Sequence, residues 1–267
     1  MAMHPRRQLF LDETGSEGTD GAERRRIRLL NWNISNPSKR RAVEQVKWIR
    51  SVDPEIVILT ETKLSDGCRY IHDRLLALDY GVVFPEPLNG GYGVMLASKH
   101  EFTETGFSGY VEADHRARVA SIMLGHAGFE FEVTGVYVPI WRDERKRRFL
   151  ECLIDGMSKD EAISRVFCGD LNILEPDHKP RYPKFEDWEY SFYESLLSLD
   201  LCDVYRLFHP DEVEYSWVGW KDNGYRYDHV FASQGIIPFI SDCRYLHEPR
   251  MSRLSDHSAM LAVLDYS

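Results

Sequence analysis

Apolar residues in this chain gather in short runs that alternate with polar, periodic stretches. Residues 56–59 (Ile-Val-Ile-Leu) are wholly apolar, the pattern of a strand covered on both faces. Residues 27–32, 93–98, 119–124, 129–138, 166–168 and 258–264 read as further strands, with shorter ones at 80–84, 215–217, 227–232 and 243–246. Between them, apolar side chains recur at helical spacing. Val43, Val46 and Ile49 mark a helix over 39–50 that Asp53-Pro54 ends, and Phe192, Leu196 and Leu199 mark one over 188–199. Helices are also expected over 68–78 and over 143–157, the latter with a basic face. Asn89-Gly90-Gly91 reads as a turn and Gly125-His126-Ala127-Gly128 as a hairpin loop. No internal repeat is visible.

The strands end in a consistent way. Asn33, Glu61, Tyr137, Asp170 with Asn172, and Asp256 with His257 each sit at the terminus of an apolar run. Asp170 and Asn172 are two apart, so on extended backbone they point to one side. Any one of these has a plain structural reading: an Asx turn for Asp170, a solvated turn residue for Glu61, a packed aromatic for Tyr137. Together they exceed what turns require, because strand ends need only turn formers and these are groups suited to chemistry.

Composition narrows the class. A length of 267 residues with 43% hydrophobic and 28% charged side chains is that of an ordinary globular protein. No run approaches the ~18 apolar residues of a membrane span. The 5 cysteines are scattered and form no CxxC, which points to reduced thiols and a cytoplasmic location rather than a disulfide framework or zinc site. The stretch Leu11 to Glu23 is rich in Gly, Asp, Glu, Ser and Thr, and residues 1–25 lack a secretory pattern and are expected to be a disordered tail, leaving 26–267 as one domain. The net charge of -10 argues against strong non-specific nucleic-acid binding. Arg142, Arg145, Lys146, Arg147 and Arg148 form a local basic run that either meets phosphates or is a solvated helix face. Trp217, Trp220 and Tyr225 offer rings for stacking or for the core.

The segments Trp32-Asn33, Glu61-Thr62-Lys63, Tyr137-Val138-Pro139, Gly169-Asp170-Leu171-Asn172, Arg226-Tyr227-Asp228 and Ser255-Asp256-His257 occur in one order across nearly the whole chain. This ordered set resembles the endonuclease/exonuclease/phosphatase superfamily, and within it most the exonuclease III type of apurinic/apyrimidinic endonuclease. The resemblance implies an α/β fold, a four-layer sandwich of two mixed β-sheets packed face to face and flanked by helices. It implies Mg²⁺- or Mn²⁺-assisted hydrolysis of a phosphate ester. Glu61 would be the principal metal ligand, with Asn33 and Asp256 beside it. Asp170 would deprotonate the attacking water, Asn172 would bind the phosphate, and Tyr137 would contact the phosphate or the leaving oxygen. His257 would bind a phosphate oxygen with Asp228 fixing its tautomer, and His229 is its rival as functional histidine. Arg142, Trp217 and Arg226 are expected to touch substrate.

The sequence also departs from that branch. Ser35 stands where Asp or Asn is common, Ile140 replaces the asparagine that usually follows Tyr-Val-Pro, and the segment between Trp217 and Arg226 is short. The leading expectation is therefore a DNA nuclease with a retained catalytic centre, DNA being favoured over RNA as the partner. It is expected to be monomeric, with no membrane association and no obligate protein partner. A phosphatase or phosphodiesterase for a small or lipid-linked phosphate, an RNA nuclease and a catalytically silent binding protein are the alternatives.

Overall fold

The computed structural model describes residues 25–126, 129–159, 163–219 and 223–266. The chain enters through β1 (Arg25–Asn33), followed by α1 (Lys39–Val52), β2 (Ile56–Thr62), α2 (Asp66–Leu76), β3 (Gly81–Val83) and β4 (Gly93–Ser98). A second group follows: β5 (Phe102–Glu104), β6 (Val119–His126), β7 (Phe129–Tyr137), α3 (Glu144–Lys159), β8 (Arg165–Asp170), α4 (Asp187–Ser198), β9 (Leu201–Asp203) and α5 (Val204–Phe208). After a short ribbon of β10 (Trp217–Val218) and β11 (Gly224–Tyr225) come β12 (Asp228–Ser233), β13 (Ile240–Leu246), α6 (Glu248–Met251) and β14 (Ala259–Tyr266).

The strands form two mixed sheets of 6, ordered β13-β14-β1-β2-β4-β3 and β5-β6-β7-β8-β12-β9. Residue alternation explains the layering. Ile56 and Ile58 face the other sheet, meeting Ile122, Val133 and Val166. Val57 and Leu59 face the opposite way, into a layer with Val46 and Ile49 of α1 and Ile71 of α2. The run 56–59 is unbroken because both faces are dry. The outer face of the second sheet is covered in the same manner by Phe149 and Leu153 of α3 and Phe192 and Leu196 of α4. Helix, sheet, sheet, helix is the expected four-layer arrangement.

Several details differ from the sequence pattern. The strand expected over 215–217 is reduced to Trp217 in the ribbon. The edge strands β5 and β9 and the short helices α5 and α6 carry too few residues for a period to show. The tail expected over residues 1–25 lies outside the described residues except for Arg25, as do Trp220 and part of the loop at 125–128.

Candidate active site

Topology places the strand-end residues at one rim. β1 and β2 run parallel, and so do β7 and β8, so Asn33, Glu61, Tyr137 and Asp170 all end their strands on the same side. β12 is antiparallel to β8 and therefore starts there, with Asp228 directly opposite Asp170. β14 is antiparallel to β1, which sets the turn before it beside Asn33, and Ser255 Oγ donates to Asn33 O at 2.6 Å. Gly169 is required just before Asp170. Its φ is +148°, and a Cβ there would lie 1.8 Å from Val136 O, so only glycine lets β7 and β8 approach. Glu61 lies where the pairing of β2 with β4 shifts register, at a φ of 55°, which turns its carboxylate out of the alternation.

Hydrogen bonds tie the two sheets together at this rim. Asn33 Nδ2 donates to Asp170 Oδ2 at 2.8 Å and lies 3.4 Å from His257 Nε2. Asn33 cannot flip, since its Oδ1 accepts from Ser35 N at 2.9 Å. His257 Nδ1 is 2.7 Å from Asp228 Oδ2, and Asp228 is fixed in turn because Ser216 Oγ accepts from its backbone N–H at 3.2 Å. Tyr137 OH donates to Glu61 Oε1 at 2.7 Å. Asn172 N donates to Asp170 Oδ1 at 3.1 Å, and Asn172 Nδ2 to Val138 O at 2.9 Å.

Burial and neighbouring charge set the protonation. Burial, then Asp228, raise the Asp170 carboxyl to about 8, against the pull of His257 and the Asn33 hydrogen bond. Burial works against charge on His257, but Asp228 and then Asp170 outweigh it and raise the ring to about 10, so it is an imidazolium at neutral pH. The Tyr137 phenol is pushed far up by burial and by Glu61, and stays a donor.

Glu61, Asp170, Asn172, Asp256 and His257 line a cavity of about 720 Å³, with Asn33, Tyr137 and Asp228 buried behind them. Arg142 and Trp217 line its wall, as does Ile140, which is 65% exposed. Tyr182, Phe185, Tyr225 and Tyr227 add aromatic surface that the sequence reading did not assign, except for Tyr225. Arg226 is a correction. Its side chain is wholly buried and its guanidinium meets Asp203 at 2.6 Å and Glu175 at 3.0 Å, so it faces away from the cavity. His229 is likewise buried on the other side, 3.6 Å from Asp203, because successive strand residues point to opposite faces. The basic run is also changed in meaning. Arg145 pairs with Asp143, Arg147 with Glu151 and Arg148 with Glu112, and Lys146 is buried against Glu189. Arg142 instead donates to the hydroxyl of Tyr182.

One His and two carboxylates, Asp170, Asp228 and His257, present ligand atoms within 4.8 Å of one another, and this group is able to chelate a divalent metal. Asp228 Oδ1 is buried without a hydrogen-bond partner, as a vacant ligand oxygen would be. Full occupancy would displace the His257–Asp228 hydrogen bond and would require the imidazolium to give up a proton. The set named from sequence is Glu61, Asn33 and Asp256. Glu61 and Asp256 both line the cavity as hard oxygen donors, while Asn33 is engaged with Asp170 and Ser35.

Comparison with known proteins supplies the wider context. A model of the Endonuclease/Exonuclease/phosphatase family matches residues 30–257. An exodeoxyribonuclease of Bacillus subtilis (strain 168) is 28% identical over 247 residues, 81% of this chain and 92% of the relative. The DNA repair nuclease APEX1 of Danio rerio is 23% identical over 256 residues, 82% of this chain and 76% of the relative. Among solved structures, an AP endonuclease from Archaeoglobus fulgidus superposes with a TM-score of 0.75 at 24% identity, covering 90% of this chain and 100% of that one. The 3′ phosphatase NExo from Neisseria, bound to a product DNA hairpin, gives 0.74 at 22% identity with the same coverage of 90% and 100%. On the family match over most of its length, with a rim of carboxylates, amide and imidazolium in the same fold, this chain belongs to the endonuclease/exonuclease/phosphatase family.

Proposed function

We propose that the chain is a Mg²⁺- or Mn²⁺-dependent nuclease that hydrolyses DNA phosphodiester bonds, at abasic sites or at 3′ ends. The observation that carries this reading is that Asp170, held by Asn33, and His257, held by Asp228, line one cavity with Glu61. Asp170 takes the proton of the attacking water, and its raised proton affinity suits a base working near neutral pH. Asn33 and the Asn172 N–H hold the two carboxylate oxygens in place for that transfer. The His257 imidazolium, oriented by Asp228, binds a non-bridging phosphate oxygen as charge grows on it. Asn172 spends one amide hydrogen on Val138 O and keeps the second for the phosphate. Tyr137 orients Glu61, which with Asp256 would help hold the metal. When bound, the ion supplies Lewis-acid stabilisation of the phosphate and of the leaving oxygen. Arg142 would meet a flanking phosphate, and Trp217 would stack on a sugar or base. On this reading residues 26–267 work as one cytoplasmic, monomeric domain.

The net charge of -10 and the short segment between Trp217 and Arg226 favour a second reading, hydrolysis of a small phosphate ester by the same machinery. Both are tested by one panel under one buffer with Mg²⁺ or Mn²⁺: duplex DNA with one abasic site, intact duplex, single-stranded DNA, single-stranded RNA and small phosphate esters. Incision of DNA that chelator abolishes supports the nuclease. Turnover of small esters alone moves the chain to the second reading, and chelator-resistant activity on all substrates contradicts both.

A further inference from the structure

A basic run at the start of an exposed helix is ordinarily solvated, yet one of its members is among the most deeply buried charges of the chain. Lys146 of α3 is 1% exposed and Glu189 of α4 is 0% exposed. Lys146 Nζ donates to Glu189 Oε1 at 2.6 Å and to the backbone carbonyl of Asn172 at 2.8 Å. The ammonium also lies 4.6 Å from the centroid of the Phe185 ring. Two oxygens and a π face use up an ammonium with three donors. Glu189 is anchored as well: its Oε2 accepts from Glu186 N at 3.0 Å, closing the capping box at the start of α4.

Asn172 needs such a partner. It sits just past the end of β8, where ladder hydrogen bonds stop, and its φ of 47° puts it in the left-handed region. Its backbone N–H and its side-chain amide are held by Asp170 and Val138. Its carbonyl is held by Lys146. The two outer helices that carry Lys146 and Glu189 are thus connected to the phosphate-facing loop through one charge.

We infer that Lys146, anchored by Glu189, is a positioning residue that fixes the Asn172 loop in its working geometry and does not itself touch substrate. The inference rests on the phosphoesterase reading for its kinetic consequence, but not for its structural one. The ammonium that clamps Asn172 O sets where the Asn172 amide and the Asp170 carboxylate point, and displacement of either by about 1 Å costs on the order of 100-fold in rate.

The test uses the double variant Lys146→Met with Glu189→Leu, which removes both charges at once and avoids leaving a buried one unpaired. Folding is checked by thermal melting, with Lys146→Arg as the conservative partial rescue. On the best substrate of the panel, kcat of the folded double variant is expected to fall by about 10- to 100-fold with KM within about threefold. Combined with Asn172→Ala, the losses are expected to be less than additive, because both act through one loop. Independently of any activity, amide hydrogen exchange over residues 170–173 is expected to speed up in the double variant. A folded double variant with wild-type kcat and wild-type exchange overturns the inference. An inactive wild type, by contrast, contradicts the proposed function, and the exchange measurement still decides the role of Lys146. Should the double variant fail to fold, Glu189→Gln, which removes the charge that anchors the ammonium but keeps a polar partner for it, carries the same two readouts and the same overturning result.

Discussion

Two buried polar clusters lie back to back across β12, and they use similar residues to opposite ends. On one side, His257 backed by Asp228 and Asp170 backed by Asn33 line the cavity. On the other, Arg226 pairs with Asp203 and Glu175, Arg206 pairs with Glu175 where these two border a separate cavity, and His229 lies beside Asp203. In the first cluster burial and a neighbouring carboxylate push Asp170 up to about 8. In the second, Glu175 is pulled down to about 2: burial opposes this, but the hydrogen bond from Arg206 and the charge of Arg226 prevail. Asp203 is driven lower still by Arg226 and His229, against its own burial. Carboxylates that face guanidinium groups are held ionised and hold a fold together. A carboxylate that faces another carboxylate beside a cavity keeps a raised proton affinity and is available for chemistry.

The comparison is broken most severely at Asp170. Asp170→Asn is expected to lower kcat by about 10³-fold or more without lowering the melting temperature, because it removes a buried carboxyl whose ionised form the folded state disfavours. Arg226→Met is expected to do the reverse. It strands Asp203, costs about 3–5 kcal/mol in denaturant unfolding, and leaves kcat per folded molecule within about threefold. The two histidines sharpen the contrast: His257→Gln is expected to lose about 10²- to 10³-fold in kcat and His229→Gln less than about threefold, measured on the same substrate.

Acid stability distinguishes the clusters by sign. Because the folded-state value of Glu175 lies below its unfolded value, its contribution is fully present above 4.5 and is lost as pH falls toward about 2. Relative to Glu175→Gln, the wild type is expected to lose on the order of 3 kcal/mol across that window, readable as converging urea midpoints. The smallest effect is expected at the wall. Trp217→Ala should raise KM about tenfold on a nucleic-acid substrate, with little change in kcat.

Much of this arrangement was legible in the sequence, for identifiable reasons. Strands dry on both faces, such as 56–59, announce themselves as unbroken apolar runs, and Asn33, Glu61, Tyr137 and Asp170 follow directly from where those runs stop. What stayed hidden depends on contacts distant in sequence. Arg226 stands two before Asp228, so strand alternation would put both on one side, but residues 226–227 lie outside any strand and bring Arg226 to Asp203 instead. Lys146 reads as one more cation in a solvated run, because nothing near it in sequence announces Glu189. The tight grouping of Asp170, Asp228 and His257 comes from antiparallel pairing of β12 with β8 and from the turn before β14, neither of which a linear pattern displays.

The most direct test of the account sets Asp170→Asn and Arg226→Met side by side on one DNA substrate with Mg²⁺, each rate normalised to the folded fraction from a parallel unfolding curve. The Asp170 variant is expected to be folded and inactive, and the Arg226 variant destabilised and, where folded, active. A folded Asp170 variant with wild-type turnover, or a fully folded Arg226 variant without any, would contradict it.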